Sequence, residues 1–313
     1  MKLAIVEPIG IDEEKVQSLA AQLLPADVEV MYYNSPADSA EKAKRAAGAE
    51  AVMIANKPFK DDVLSQCPDL KFLSVAFTGV DHVGMDYCRE HNITVSNCSG
   101  YANEAVSELV MGLCIALYRK LAQCQKAARG GQSSAGLRGL ELSGKKFGII
   151  GAGAIGLKTA QLAKAFGCDV YCYRRRAPQD SEFKFTDMDW ILQNCDIVSL
   201  HMPLNNATKG MINAEKIAMM KKNAILINTA RGGVVDTKAL ADALNSGAIA
   251  GAGIDVFDTE PPLPQDNLLL SAKNTVVAPH IGFDTCEAME KRAHTAFVNV
   301  EKWIAGTPQN VMN

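Results

Sequence analysis

Three glycines, an arginine triplet and three strand ends carry the chemistry this sequence could perform. In KKFGIIGAGAIGLKTAQLAKAFGCDVYCYRRR, Gly151, Gly153 and Gly156 stand in GxGxxG spacing, directly after an apolar run of strand length and at the start of a helix-period segment. Alone the pattern is weak. In a βαβ frame the three glycines serve separate ends, namely a tight turn, close approach of backbone to a pyrophosphate, and close packing of helix on strand. The helix N-terminus then offers free N–H groups to phosphate. Sites of this kind that take NAD carry an acid at the end of the second strand, about 20 residues on, for the ribose hydroxyls. Here that strand ends VYCY and Arg174 follows, eighteen residues past Gly156. A carboxylate would repel a 2′-phosphate, whereas a guanidinium holds one bidentately. Arg174, Arg175 and Arg176 therefore read as a clamp for NADP. Not all three need face the phosphate, because neighbours on an extended chain point oppositely. The alternative is a solvated loop with one guanidinium on the adenine face, compatible with NAD as well.

Three later apolar runs end in reactive residues: AILINTARGG in Arg231, AGIDVFDTEPP in Asp255 with Glu260 just beyond, and TVVAPHIG in His280. Open parallel sheets bind ligands outside the carboxyl ends of their strands, so these side chains are expected on the same edge as the glycine turn. Such convergence is the pattern of an enzyme. Taken singly, each residue has a plainer explanation, His280 for instance as a strand-end histidine bonded to a nearby carbonyl.

Groups placed in this way need parallel sheets to hold them, and the chain supplies the pattern. Apolar runs of strand length alternate with helix-period segments throughout, which predicts an α/β fold with parallel sheets. KLAIVEP, VEVMYY, AVMIA, LKFLSVAF and ITVSN read as five strands of a first domain ending near Gly100. From Asn103 to about Ala128 the spacing predicts one long, largely buried helix, with Val106, Leu109, Val110, Leu113, Leu117 and Leu121 on a single face. The glycine-rich RGGQSSAGLRG that follows reads as a linker. A second series then opens with FGIIGAG, VYCYR, DIVSLH, AILINTA, IAGAGIDVF and TVVAPH. A last helix, from about Asp284 to Ala305, is expected to return to the first domain. The expected boundaries are 1–102 plus 284–313 for a substrate-binding domain, and 103–283 for a Rossmann-type dinucleotide domain.

With 313 residues the chain can bury two cores. Acids outnumber bases, 35 to 32, for a net charge of -3, which argues against a nucleic-acid partner and makes the arginine triplet a local device. MKLAIVEPIG is too short an apolar run for a signal sequence, and no run approaches bilayer length. Nine cysteines, odd in number and never in a CxxC pair, read as reduced thiols of a cytoplasmic protein, with no metal site.

With these motifs in order, the chain resembles the D-isomer-specific 2-hydroxyacid dehydrogenase family over nearly its whole length. The resemblance rests on TGVDH (Thr78 to His82), NEAVSEL, GAGAIG, HMPLNNAT, NTARGGVVD, GIDVFDTEPP and PHIG. It implies two Rossmann-like or flavodoxin-like domains with a cleft between them, and a homodimer formed mainly through the nucleotide domain. It implies that His280 protonates the carbonyl oxygen as hydride reaches the carbon, which suits an imidazole because its pKa lies near working pH. Glu260 would bond the other ring nitrogen, and Arg231 would pair with the substrate carboxylate, joined by backbone N–H groups of Thr78 and Gly79. Asp255 would meet the nicotinamide side. The implied cofactor contacts take in Ala154 and Ile155 beside the three glycines, then His201, Pro203 and Thr208, and finally Thr229, Ala230 and Gly282. His82, His91 and His294 read as surface or packing residues, with His82 close enough to TGVDH to meet substrate, and Asp81 as a helix cap.

Some positions depart from the family pattern. Ala154 stands where the glycine loop often has Arg or Asn, and Gln132 where Trp is common. Val75 takes the place at which phosphoglycerate dehydrogenases bring an arginine to the substrate phosphate, so 3-phosphoglycerate is disfavoured. With Asn313 as its last residue, the chain is not expected to carry a serine-binding regulatory domain. Phe77 is expected beside a small or apolar substrate group. Arginines at the ribose site and a phosphate-free pocket resemble NADPH-dependent glyoxylate/hydroxypyruvate reductases, which makes a small 2-keto acid the expected substrate and NADP, with NAD as the alternative, the expected cofactor. Two other readings are an NAD-dependent 2-hydroxyacid or phosphoglycerate dehydrogenase and, in a different class, a dinucleotide-sensing protein like the family's corepressor relatives.

Overall fold

The computed structural model describes residues 1–259 and 262–313. They divide into two compact units, 1–102 with 284–313, and 103–283. Each is built on a sheet whose strands are all parallel, the α/β architecture expected from the alternation of strand and helix patterns.

The first unit carries β1 (Lys2–Ile5), β2 (Glu29–Tyr32), β3 (Ala51–Ile54), β4 (Phe72–Val75) and β5 (Thr94–Asn97), in the order β2-β1-β3-β4-β5. β3 and β4 are buried along their whole length, as parallel strands covered on both faces must be. The helix Glu13–Leu23 starts where the Asp12 carboxylate accepts the Lys15 N–H, and Cys286–Ile304 where the Thr285 hydroxyl accepts the Ala288 N–H. Cys286–Ile304 packs on β4: Ser74 Oγ donates to the Ala296 carbonyl at 3.0 Å, and Trp303 stacks on Phe72. Residues 309–313 run beside β5, where Asn97 N–H reaches Asn310 O and Met312 N–H reaches Val95 O. That tail covers a strand edge otherwise open to pairing.

The second unit carries β6 (Lys146–Ile150), β7 (Asp169–Tyr173), β8 (Lys184–Phe185), β9 (Ile197–Leu200), β10 (Ile225–Asn228), β11 (Gly251–Ile254) and β12 (Thr275–Val277), in the order β12-β11-β10-β9-β6-β7-β8. The order reverses between β6 and β9, the switch point at which doubly wound sheets open a crevice. β8, two residues long at the edge, is too short to give a hydrophobic pattern.

Two local expectations are corrected. The helix expected from Asn103 to about Ala128 is two, Asn103–Tyr118 and Leu121–Arg129, broken at Lys120, whose φ is +50°. Leu121, expected on the buried face, is 49% exposed. The cause is the returning chain: Leu140 N–H donates to the Tyr118 carbonyl at 2.9 Å, taking an acceptor that a continuing helix would use. Asp81 is not a helix cap; it lies in a turn, and the helix Met85–Glu90 that follows is capped by Gly84. Seven of the nine cysteines are buried, and burial pushes the Cys98 thiol up to about 12.

Candidate active site

The glycine turn joins β6 to the helix Ala154–Ala165, and each glycine is required for a different reason. Gly151 has φ +103°, and a Cβ there would lie 2.7 Å from the His201 backbone carbonyl. Gly156 sits under that turn, where a Cβ would lie 2.4 Å from Gly151 O. Gly153 caps the helix, and a Cβ there would meet nothing within 4 Å. The first and third glycines are thus fixed by the protein's own packing, while the second faces open space at a helix N-terminus, the place of closest approach for a diphosphate. Ala154 and Ile155 form the first turn of that helix.

Arg174, Arg175 and Arg176 follow β7 and are all exposed. Arg174 Nε donates to the Arg176 carbonyl at 2.6 Å, curling the segment into a bend. No ion pair engages any of the three among the described residues, so their charge is available to an anion. His201, after β9, is half-buried, and its Nε2 lies 2.9 Å from Ser199 Oγ. Burial pushes this imidazole down to about 4, so it is neutral at ordinary pH. In the following loop Thr208 Oγ1 donates to the Pro203 carbonyl at 2.6 Å and accepts from Asn205 N–H.

Arg231, Asp255 and His280 follow β10, β11 and β12, three adjacent parallel strands, so all three leave the sheet at its carboxyl edge. Their backbones are knitted together. Asp255 N–H donates to Asn228 O, and His280 N–H to Asp255 O at 2.8 Å. Asp255 is fully buried, and its two carboxylate oxygens accept the N–H groups of Ile281 and Gly282, each at 2.8 Å. That grip holds His280 at φ +60°, a left-handed conformation costing a non-glycine residue roughly 1–2 kcal/mol. Gly282 has no room for a side chain, since a Cβ would lie 2.8 Å from Asp255 Oδ2. The imidazole meets the Phe283 ring edge-on at 5.3 Å. Glu260 lies outside the described residues.

The turn carrying Thr229, Ala230 and Arg231 is wrapped by one side chain that sequence reasoning missed. Asn228, 1% exposed, accepts the Ala230 N–H at 3.1 Å and donates to the Arg231 carbonyl at 3.0 Å. A carboxamide closing an otherwise apolar strand, ILIN, was the available signal. Thr229 Oγ1 is buried without a hydrogen-bond partner among the described residues. With the open space at Gly153 and the uncommitted arginines, this orphaned hydroxyl fits a group that brings its own polar atoms, as a dinucleotide does.

In the first unit, Phe77, Thr78 and Gly79 follow β4. Phe77 is packed at 6% exposure against Tyr101 and His82, with ring centroids 6.4 and 6.1 Å away. Thr78 and Gly79 are half-buried. Cys98 N–H donates to Phe77 O at 2.9 Å, and Asn97 Nδ2 to Thr78 O at 2.7 Å. On the other side His82 Nε2 lies 2.9 Å from the carbonyl of Ala55, whose N–H donates to the buried Glu7 carboxylate at 2.7 Å. Lys42, 1% exposed, pairs with Glu7 at 2.6 Å and donates to Pro58 O. His91 stacks on Tyr87, and His294 is exposed. Val75 is fully buried.

The chain is similar to known proteins of one kind. Residues 111–282 match the model of the "D-isomer specific 2-hydroxyacid dehydrogenase, NAD binding domain". The chain is 40% identical over 293 residues to a glycerate dehydrogenase of Methylorubrum extorquens, covering 91% of this chain and 92% of that one. It is 40% identical over 249 residues to a glyoxylate reductase of Thermofilum pendens, covering 76% and 73%. Among solved structures it is similar to an acyclic imino acid reductase in complex with NADPH and D-Arg, with a TM-score of 0.91 at 28% identity and full coverage of both chains. Among the described residues no helix is long and apolar enough to cross a membrane.

Proposed function

This chain belongs to the D-isomer specific 2-hydroxyacid dehydrogenase family, and on that premise we propose that it reduces a small 2-keto acid, glyoxylate or hydroxypyruvate foremost, to the D-2-hydroxy acid with NADPH. It is an oxidoreductase acting on the CH–OH group with a nicotinamide dinucleotide. The observation that carries the reading is the set of adjacent strand ends, where Arg231, Asp255 and His280 leave one sheet edge beside the glycine turn.

Residues 151–156 and the first turn of the helix Ala154–Ala165 would hold the diphosphate, Arg174 to Arg176 the 2′-phosphate, and His201, Pro203, Thr208, Thr229, Ala230 and Gly282 would line the remainder. The dinucleotide, when bound, supplies the hydride. His280 then delivers the proton to the carbonyl oxygen, and its backbone is held for that purpose by Asp255. Glu260 would bond the other ring nitrogen and so orient the imidazole. Arg231 pairs with the substrate carboxylate through its planar fork and polarises the carbonyl. Thr78 and Gly79 add backbone donors, and Phe77 limits the substrate's side group. Working as a cytoplasmic homodimer completes the reading.

Oxidation of NADPH and of NADH, followed with glyoxylate, hydroxypyruvate, pyruvate and bulkier keto acids, tests this. We expect the highest kcat/KM with a small acid and NADPH, and loss of the NADPH preference in Arg174→Asp. His280→Ala should lower turnover roughly 100- to 10,000-fold while leaving dinucleotide affinity nearly intact. Tight dinucleotide binding without turnover of any keto acid would instead favour a sensor.

A further inference from the structure

We propose that Asn97 is a positioning residue for substrate recognition, fixing the direction in which the Gly79 N–H points. The inference rests on the reading that Thr78 and Gly79 present backbone donors to the substrate carboxylate. The Thr78 carbonyl and the Gly79 N–H belong to one planar peptide group, and in a trans peptide they point in opposite directions. Asn97 Nδ2 donates to that carbonyl at 2.7 Å. The preceding peptide is treated alike: Cys98 N–H donates to Phe77 O at 2.9 Å, and the N–H of that peptide is Thr78's. Both carbonyls are thus turned toward the end of β5, and both N–H groups face away from it. The Cys98 bond is main chain to main chain and survives any substitution there. The Asn97 bond depends on one side chain, and it restrains a peptide flanked by Gly79, the residue with least intrinsic resistance to rotation.

Asn97 is itself held in place. It is 4% exposed; its N–H donates to Asn310 O at 3.1 Å, and its carbonyl accepts from Asn299 Nδ2 at 2.8 Å. Asn299, fully buried, accepts at its Oδ1 from Gln309 Nε2 at 3.2 Å and from Asn310 Nδ2 at 3.0 Å. Four carboxamides therefore converge where apolar side chains would pack a strand end without needing partners. The geometry they maintain ends at the Thr78–Gly79 peptide.

Steady-state kinetics of Asn97→Ala and Asn97→Asp, with the keto acid the wild type reduces best, test the inference. A donor that meets the carboxylate alike in ground and transition states lowers KM without raising kcat. Asn97→Ala should therefore raise KM for the keto acid roughly ten- to a hundredfold, with kcat and the dinucleotide Kd nearly unchanged. In Asn97→Asp an ionised carboxylate repels the Thr78 carbonyl, whereas a protonated one donates to it. The ratio of its KM to that of the wild type should therefore fall as pH is lowered from about 8 to about 5, the range over which a buried carboxyl takes up its proton. A folded Asn97→Ala protein with the wild-type KM would overturn the proposal. If that variant does not fold, an Asn97→Asp KM ratio that stays flat with pH overturns it. Absence of keto-acid turnover by the wild type would defeat the functional reading and this inference with it, whereas turnover indifferent to Asn97 defeats this inference alone.

Discussion

His201 shows how a single half-buried group reports on folding. Its imidazole is pushed down to about 4 by burial and sits against Ser199 Oγ. The unfolded chain takes up this proton near the ordinary histidine value of about 6.5, and the folded protein withholds it until about 4. The stability this group contributes is therefore complete above about pH 6.5 and lost as pH falls toward 4, by at most about 3 kcal/mol. Urea denaturation at pH 7 and pH 5 should show His201→Gln losing less stability than the wild type between the two. Equal losses would place the acid sensitivity elsewhere. At this scale the sequence announced residues whose chemistry is rare at strand ends, such as Arg231 and His280, and glycines with fixed spacing. It did not announce Asn97, Asn228 or Ser199, because a carboxamide or hydroxyl is ordinary at any strand end and acquires its role only from the backbone folded around it.

Among the elements, the loop after β3 depends on one ion pair. Glu7 at the end of the β1 segment accepts the Ala55 N–H, and Lys42 from the helix Ser39–Ala46 donates to Pro58 O, so the pair grips this loop at two points. Removing one partner strands a charge in the interior. Lys42→Met should cost about 3–5 kcal/mol, and adding Glu7→Gln should restore much of it, since a neutral, well-packed replacement escapes the desolvation penalty. Thermal melts of the single and double variants check this; a double variant as unstable as the single one would show that the charges are not the cause. Strands were readable at this scale because parallel strands buried on both faces appear as unbroken apolar runs. The break at Lys120 was not, because the interruption comes from Leu140, twenty residues on, claiming the Tyr118 carbonyl. Helical periodicity measures a face and is blind to a competitor arriving from elsewhere in the chain.

At the scale of the whole molecule, the α/β class and the alternation of strands and helices were legible because they are properties of the complete pattern. Which strand neighbours which was not, as register and order arise from three-dimensional packing. The order β2-β1-β3-β4-β5 in one sheet and the reversal between β6 and β9 in the other give each sheet a switch point, the place at which open parallel sheets form a crevice.

Because the helix Cys286–Ile304 covers β4 while residues 103–283 intervene, the first-made sheet cannot be finished first. On the ribosome the central half is expected to fold as soon as it emerges, while the N-terminal hundred residues wait, one apolar face bare, for the last thirty. Stalled nascent chains treated with protease should yield a resistant fragment of the middle before any of the beginning. That interval is when a chaperone has most to protect.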